Sequence, residues 1–424
     1  MTTATTATPP TAPHTEPGDR KTPAAAALFG GLLANGAGHS FLLIVLPPLG
    51  RSLGFGDVRT GMLLSLSALL LVVAGPAWGH VCDRWGRRRV LVAGLAAAAL
   101  FPAAMAAILA GHAGGVLSSD AAFALLLAAR LVQSALSAGI MPAAQAFLAD
   151  VTSADRRAGG MGMMGAAFGL GAILGGALAW RMGGTDPAAA LLAIAALIAA
   201  GTLAVWLRID EPARKDGAAA VPPGGWPRGR VRLADIRPFL AITLCGLMAY
   251  SLLQQVTALR LQDAFGLTPV DSVRRGGAIL ALTMTVMVAT QGLAVRWLGW
   301  PPVRLLRAGA VTATLALLAA ALAPSPALLT AAMAGLGGGL GLLLPGNLAT
   351  LSLRTPPDAQ ARTAGLNGVG QGIGMAAGPL LGAALHQISP AMPYWAGVAI
   401  LCTVCALAFR GRRPARSPAG PFAE

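Results

Sequence analysis

The sequence breaks into twelve apolar runs, and nothing else in it limits the possible folds as strongly. They lie at roughly 24–46, 60–79, 89–111, 121–148, 161–180, 188–207, 238–259, 276–295, 307–323, 327–349, 363–386 and 393–409. A membrane helix needs about 20 apolar residues to cross the hydrocarbon, and most of these runs supply that length. Charged residues make up only 11% of the 424-residue chain, against about 25% in a soluble domain. Such a chain cannot give every element a water-facing side, so lipid is its expected solvent. In lipid the backbone polar groups must be satisfied within helices or a closed barrel, and runs of this length select helices. The fourth is long enough to tilt, or to bend near Pro142. The expected fold is an all-α membrane protein with 12 transmembrane helices in two six-helix bundles.

Charge orients the set. With the N-terminus inside, the cytoplasmic segments hold 24 basic residues, and the outer loops hold six: Arg51, Arg59, Arg181, Arg260, Arg274 and Arg275. Arg130 is left inside a span. Basic residues favour the cytoplasmic side, which predicts a multi-pass protein of a bacterial cytoplasmic membrane with both termini inside. The formal net charge of +15 then reflects basic loops, and no nucleic-acid partner is expected. Cys82, Cys245, Cys402 and Cys405 are scattered among apolar runs and a charged loop, which is no disulfide framework.

The longest break, 208–237, holds Pro222, Pro223, Gly224 and Gly225 with seven basic residues, and divides the spans six and six. The predicted organisation is a disordered tail over 1–23, a bundle over 24–207, a cytoplasmic linker over 208–237, a bundle over 238–409 and a basic tail over 410–424. An internal repeat supports two halves. Asp155, Gly162, Gly165, Gly169, Gly171 and Gly175 match Asp358, Gly365, Gly368, Gly372, Gly374 and Gly378 at a constant offset of 203. Glycines three or four apart share a helix face and let backbones approach closely. Pro379 follows Gly378 in the second copy and loosens that helix. The spacing serves helix packing, and also suits an interface where two halves rock.

Between the second and third runs lies Gly79-His80-Val81-Cys82-Asp83-Arg84-Trp85-Gly86-Arg87-Arg88-Arg89, with one acid and four arginines. So charged a segment must be a tight hairpin at a water-facing surface. Gly79-x-x-x-Asp83-Arg84-x-Gly86-Arg87-Arg88 resembles the signature loop of the major facilitator superfamily, and the resemblance covers about residues 24–410. Arg130-Leu131-Val132-Gln133 is similar to the Arg-x-x-Gln element of the twelve-span drug:proton antiporters, with Ser134 where they have glycine. Gly162-x8-Gly171-x3-Gly175 is similar to their antiporter element, with Gly176 in place of its proline. The resemblance implies that Asp83 meets the N-terminal end of span eleven near Arg362–Gly365 and latches the cytoplasmic gate. Arg84 and Arg87 would tie the loop to acids such as Asp150.

Ionisable groups inside a membrane are costly and mark function by default. All sixteen acids fall in tails, loops or span ends, so no mid-membrane carboxylate can carry a proton. Two groups remain in the first half. Arg130 lies about 15 Å into span four at the helical rise, and its guanidinium stays charged; it can hold an anionic group or serve as a structural cation satisfied by carbonyls and Gln133. His39 in span one titrates near neutrality when unperturbed; it can carry the proton or be a packing histidine. We expect both to face one central cavity. Asn35, Tyr250, Gln254, Gln255, Asn347, Asn367 and Gln371 are further candidates for its walls, as polar groups in lipid either bond across helices or face water.

Enzyme signals fail on context. Gly335–Gly341 lies in a span without a preceding strand, and neither lysine stands in an ATP-binding loop. The chain reads as a monomeric transporter without cofactor or metal. It would move a small hydrophobic or amphiphilic molecule outward, with protons as the coupling ion. A carrier of a specific metabolite or siderophore-like anion, and a membrane receptor that transports nothing, are the alternatives.

Overall fold

The computed structural model describes residues 21–151, 157–211, 233–356 and 359–410. Most of the two tails, residues 212–232 of the linker and the Asp155/Asp358 pair lie outside the described residues. Twelve helices are long and apolar enough to cross a membrane, and no strand occurs among the described residues. They are α1 Pro23–Ser52, α2 Asp57–Trp85, α3 Arg87–Ala113, α4 Ser119–Asp150, α5 Gly162–Met182, α6 Pro187–Arg208, α7 Ala234–Asp263, α8 Pro269–Leu293, α9 Pro302–Ala321, α10 Pro326–Leu353, α11 Arg362–His386 and α12 Met392–Arg410. The all-helical membrane fold expected from the apolar runs is borne out. Side chains that a water-soluble bundle would hide stand outward along the helices: Leu100 is 69% exposed and Leu315 60%. On a spanning helix such residues meet lipid.

Helix ends follow local chemistry. Prolines at the first or second helical position start α6, α8, α9 and α10, where a missing N–H costs nothing. Side-chain oxygens of Ser118, Asp186, Thr268 and Ser325 cap the following helices. The bend expected in α4 falls at Ala138–Gly139, because the Pro142 ring clashes with the carbonyl four residues earlier. The charged hairpin is shorter than expected. α2 runs helically to Trp85 and α3 starts at Arg87, so the break is Gly86 alone, at φ +96°. Arg260 is a correction of position: it lies within α7 and is only 3% exposed, not in an outer loop. Its two terminal nitrogens donate to the Ala320 and Ala321 carbonyls at 2.8 and 3.1 Å, and its guanidinium stacks 4.2 Å from the Tyr394 ring centroid. It therefore serves the C-terminal end of α9, where a cation suits the dipole.

In the first half α1 packs against α5 and α6, and α3 against α4 and α6; in the second α7 packs against α11 and α12, and α9 against α10 and α12. The halves meet through α2 with α11 and α5 with α8, and along α1 with α7 and α8. The glycine repeat divides into three classes. Gly171 and Gly175 press against the α1 backbone at Leu33 and Ala37, and Gly374 and Gly378 against the α7 backbone at Leu244 and Leu252. Gly162, Gly165, Gly365 and Gly368 face open space. Gly169 and Gly372 face the other half, at Val288 of α8 and Val72 of α2. The repeat thus packs each half internally and also contributes to the contact between the halves. A Cβ on Gly176 would stand 2.8 Å from the Ala281 Cβ of the other half, and one on Gly277 2.7 Å from the Gly176 oxygen.

Gly175→Ala should therefore destabilise the folded protein by about 1–3 kcal/mol, the usual cost of overpacking, while Gly162→Ala leaves stability within about 0.5 kcal/mol. Thermal unfolding of the two purified variants in detergent checks this; equal melting temperatures would contradict the division.

Candidate functional site: a cavity between the two halves

A cavity of about 350 Å³ lies between the halves, near the middle of the helices. Its walls are mostly apolar, with Leu42, Leu64, Leu71, Phe168, Ile198 and Met375 among them. The polar groups are nearly all on one side. Asn35 and His39 come from α1, Arg130, Gln133 and Ser137 from α4, and Ser251 is the polar contribution of the second half. The Ser251 hydroxyl already donates to the Met375 carbonyl at 2.9 Å.

Arg130 is held from below and beside. Its NH1 donates to Gln133 Oε1 at 2.9 Å, Gln133 Nε2 donates to Ser137 Oγ at 3.0 Å, and Ser137 Oγ donates to the Gly94 carbonyl of α3 at 3.0 Å. The positions 130, 133 and 137 share a helix face at this spacing, so α4 builds the relay locally and α3 anchors it. Phe101 lies under the guanidinium, 5.0 Å from ring centroid to Cζ. Arg130 is 5% exposed, its Nε has no partner, and among the described residues no carboxylate pairs with it. A buried cation with unused donors is unsatisfied until something anionic or strongly accepting enters. His39 lies on the same cavity, within electrostatic range of Arg130.

The other expected wall residues do not line this cavity, apart from Asn35. Asn347 Nδ2 donates to the Phe239 carbonyl and to Thr243 Oγ1, and Thr243 Oγ1 donates to Asn367 Oδ1 at 2.7 Å. That cluster ties α7, α10 and α11 together. Tyr250 and Gln254 are buried in α7, and Gln371 is exposed. Gln255 has a different position: its amide donates to the Pro379 carbonyl at 2.7 Å and accepts from the Gly61 N–H at 3.2 Å. It clamps α2 of one half against α7 and α11 of the other. Pro379 itself lines the cavity.

The two ends of the molecule differ. At the α1–α2 end the halves are joined. Arg51 pairs with Asp57 at 2.7 Å and with Asp263 of the second half at 2.7 Å, and Asp263 also meets His386 Nε2 at 2.8 Å. Ser65 Oγ accepts from the Leu380 N–H at 2.9 Å close by. The contacts of Asp263 with Arg51 and His386, and of Ser65 with Leu380, span more than 100 residues, and no local sequence pattern links them. At the opposite end Gly79, Gly165 and Gly365 have no neighbour within 4 Å of a Cβ position.

The α2–α3 turn has its own partners. Glu211, just beyond α6, accepts from the Arg87 and Arg88 backbone N–H groups at 2.5 and 3.0 Å. A carboxylate there caps α3 and complements its dipole. A Cβ on Gly86 would lie 2.5 Å from that carboxylate, so two independent constraints require glycine. Arg87 Nε reaches Asp150 Oδ2 at 3.1 Å, as expected, and Asp83 Oδ1 lies 3.7 Å from Arg87. Arg84 is exposed, and Arg88 donates to the Trp206 carbonyl.

A family model described as Major Facilitator Superfamily matches residues 28–379 and 277–424. The chain belongs to that superfamily. Among its relatives is the class G tetracycline resistance protein of Vibrio anguillarum, 33% identical over 236 residues, which are 55% of this chain and 56% of that protein. The match thus spans about half the length of that relative. Two solved structures share the fold. The human organic anion transporter MFSD10 (TETRAN) has TM-score 0.65 at 20% identity, with 92% of this chain and 99% of that one covered. A bacterial homologue of the human lysosomal transporter Spinster has TM-score 0.68 at 18% identity, with 94% and 99% covered. Its twelve helices long and apolar enough to cross a membrane agree with that membership.

Two outcomes follow from the ends of this superfamily member. Gly86→Ala strains the turn and displaces Glu211, lowering stability by about 1–3 kcal/mol, with Glu211→Gln intermediate; thermal unfolding ranks them. Asp263→Asn removes the charge that joins the halves and should raise hydrogen–deuterium exchange at the ends of α1 and α7 over wild type. Unchanged exchange there would show the ion pair to be incidental.

Proposed function

We propose that this transporter exports a small amphiphilic compound in exchange for protons, by alternating access to the cavity between its halves. The observation that carries the reading is the cavity itself: apolar walls, with a polar strip of Asn35, His39, Arg130 and Gln133 confined to one side. An amphiphile fits that division, with its polar group on the strip and its apolar body against Leu64, Leu71 and Met375. The likeness to a tetracycline resistance protein supports export of such a compound.

His39 is the proposed proton carrier. A proton on it places a second positive charge near Arg130, and like charges disfavour each other at short range. Arrival of a neutral or cationic substrate beside this pair displaces the proton, which couples the two in opposite directions. On the return, the Arg51–Asp263–His386 contacts and the Gln255 clamp must open. In that cycle Asp83 is the inner latch.

A second reading is favoured by the unused donors of Arg130: the substrate is an anionic metabolite whose carboxylate pairs with them. The sign of coupling then reverses, because a protonated His39 strengthens anion binding and the proton travels with the substrate.

Proteoliposomes loaded with pyranine and challenged with tetracycline, other neutral or cationic amphiphiles and a set of carboxylates separate the cases. Proton movement opposite to an amphiphile, lost in His39→Ala while tetracycline binding persists, is the expected result. Proton flux with a carboxylate in the same direction, abolished by Arg130→Gln, selects the second reading. No substrate movement with any member of the panel would indicate a receptor. Asp83→Asn should lower transport at least severalfold without preventing membrane insertion, and unchanged transport counts against the latch.

A further inference from the structure

We infer that the groove between α9 and α12 is a binding site for an anionic phospholipid, its headgroup on Arg304 and Arg307 and an acyl chain along the outer face of α9. The groove lies outside the transport cavity and is lined by Trp300, Val303, Arg304, Arg307, Val311 and Phe409, among others. Arg304 and Arg307 are three residues apart, so their side chains share a helix face. Each guanidinium is already oriented. Arg304 lies 4.3 Å from the Trp300 ring centroid, and Arg307 lies 5.2 Å from that of Phe409 while its Nε donates to the Ala408 carbonyl at 3.2 Å. Cation–π contacts fix a guanidinium's plane and leave its other donors to a ligand. Among the described residues neither arginine has an acidic partner.

Depth selects the ligand. α9 is 20 residues long, about 30 Å at the helical rise, which is about the hydrocarbon thickness with nothing to spare. Its first turns therefore lie at the headgroup level, and Arg304 and Arg307 are in them. Beyond the arginines the groove reaches Val311 and Thr312, and Leu315, one turn further along α9, is 60% exposed. A free phosphate would use only the arginines, whereas a phospholipid uses the arginines and this apolar strip together. Arg410, the residue after Phe409 at the end of α12, adds a further positive charge at this level. Basic pockets and segments at the cytoplasmic level of a membrane recognise anionic headgroups, at about 1 kcal/mol per basic side chain.

The full chain in detergent, titrated with phosphatidylglycerol or with phosphatidylcholine of identical acyl chains and read by native mass spectrometry, tests the site. Wild type should retain phosphatidylglycerol in preference. The Arg304→Gln/Arg307→Gln double variant should bind it roughly 30-fold more weakly, with phosphatidylcholine unchanged. Arg304→Lys/Arg307→Lys should keep most of the preference. Val311→Trp, which fills the groove and leaves both arginines in place, should also lose phosphatidylglycerol, and it serves if the double variant fails to fold. Equal retention of the two lipids by wild type, undiminished phosphatidylglycerol binding in Val311→Trp, or stabilisation by inorganic phosphate equal to that by phosphatidylglycerol would each overturn the assignment.

Discussion

Everything else in this molecule depends on how closely its helix backbones approach. Lipid offers helices little hydrophobic reason to associate, so packing must come from dispersion contacts at short range. Gly171 and Gly175 let α5 lie on α1, and Gly374 and Gly378 let α11 lie on α7. These two contacts make each half a stiff body. Between the halves the approach is close at Gly176 and Gly277, and it is supplemented by polar contacts toward the α1–α2 end. A transporter that alternates access needs that inequality: permanent contacts within a half and replaceable ones across it.

The charged groups obey a matching rule. Where an arginine is structural, the chain supplies its partners: Arg260 has two carbonyls and an aromatic ring, Arg87 has Asp150, and Arg51 has Asp57 and Asp263. Arg130 is supplied with Gln133 and the Phe101 face; unlike Arg260, whose Nε is likewise without a partner, it borders the cavity. The cost of burying it is offset only in part by the protein, which is what makes a polar ligand group welcome beside it. In the proposed cycle the same logic governs the gates. The ionic contacts at the α1–α2 end join the halves, and their loss must be balanced by contacts elsewhere.

Membership of the Major Facilitator Superfamily is common to carriers of very different compounds, and fold alone does not choose among them. The choice rests on the cavity, whose polar strip belongs to the first half and whose second-half wall is almost wholly apolar. The proposed lipid groove is separate from it on the far side of α9. Its occupant would steady the second half at the level where the bilayer changes from headgroups to hydrocarbon, without entering the transport path.

The fold was legible because it is written in local physics. Run length, charge scarcity, the proline in α4 and the excess of basic residues on alternate breaks are all properties of short segments. His39, Arg130 and Gln133 were also legible, because an ionisable or amide group in an apolar run stands out in any arrangement. Asn347, Asn367 and Gln255 looked the same in sequence and proved to be fasteners between helices, because an amide's role depends on what faces it. The Arg51–Asp263–His386 group and Glu211 under the α2–α3 turn were invisible for a related reason: their partners lie far off in sequence, and charges at span ends are ordinary there. By itself the sequence determined twelve helices in two related halves with a basic face and few internal charges. Only the tertiary structure decided which glycines bind a half together, which ionic contacts join the halves and which polar groups share the cavity, because each depends on pairs of segments that meet only after the helices have packed.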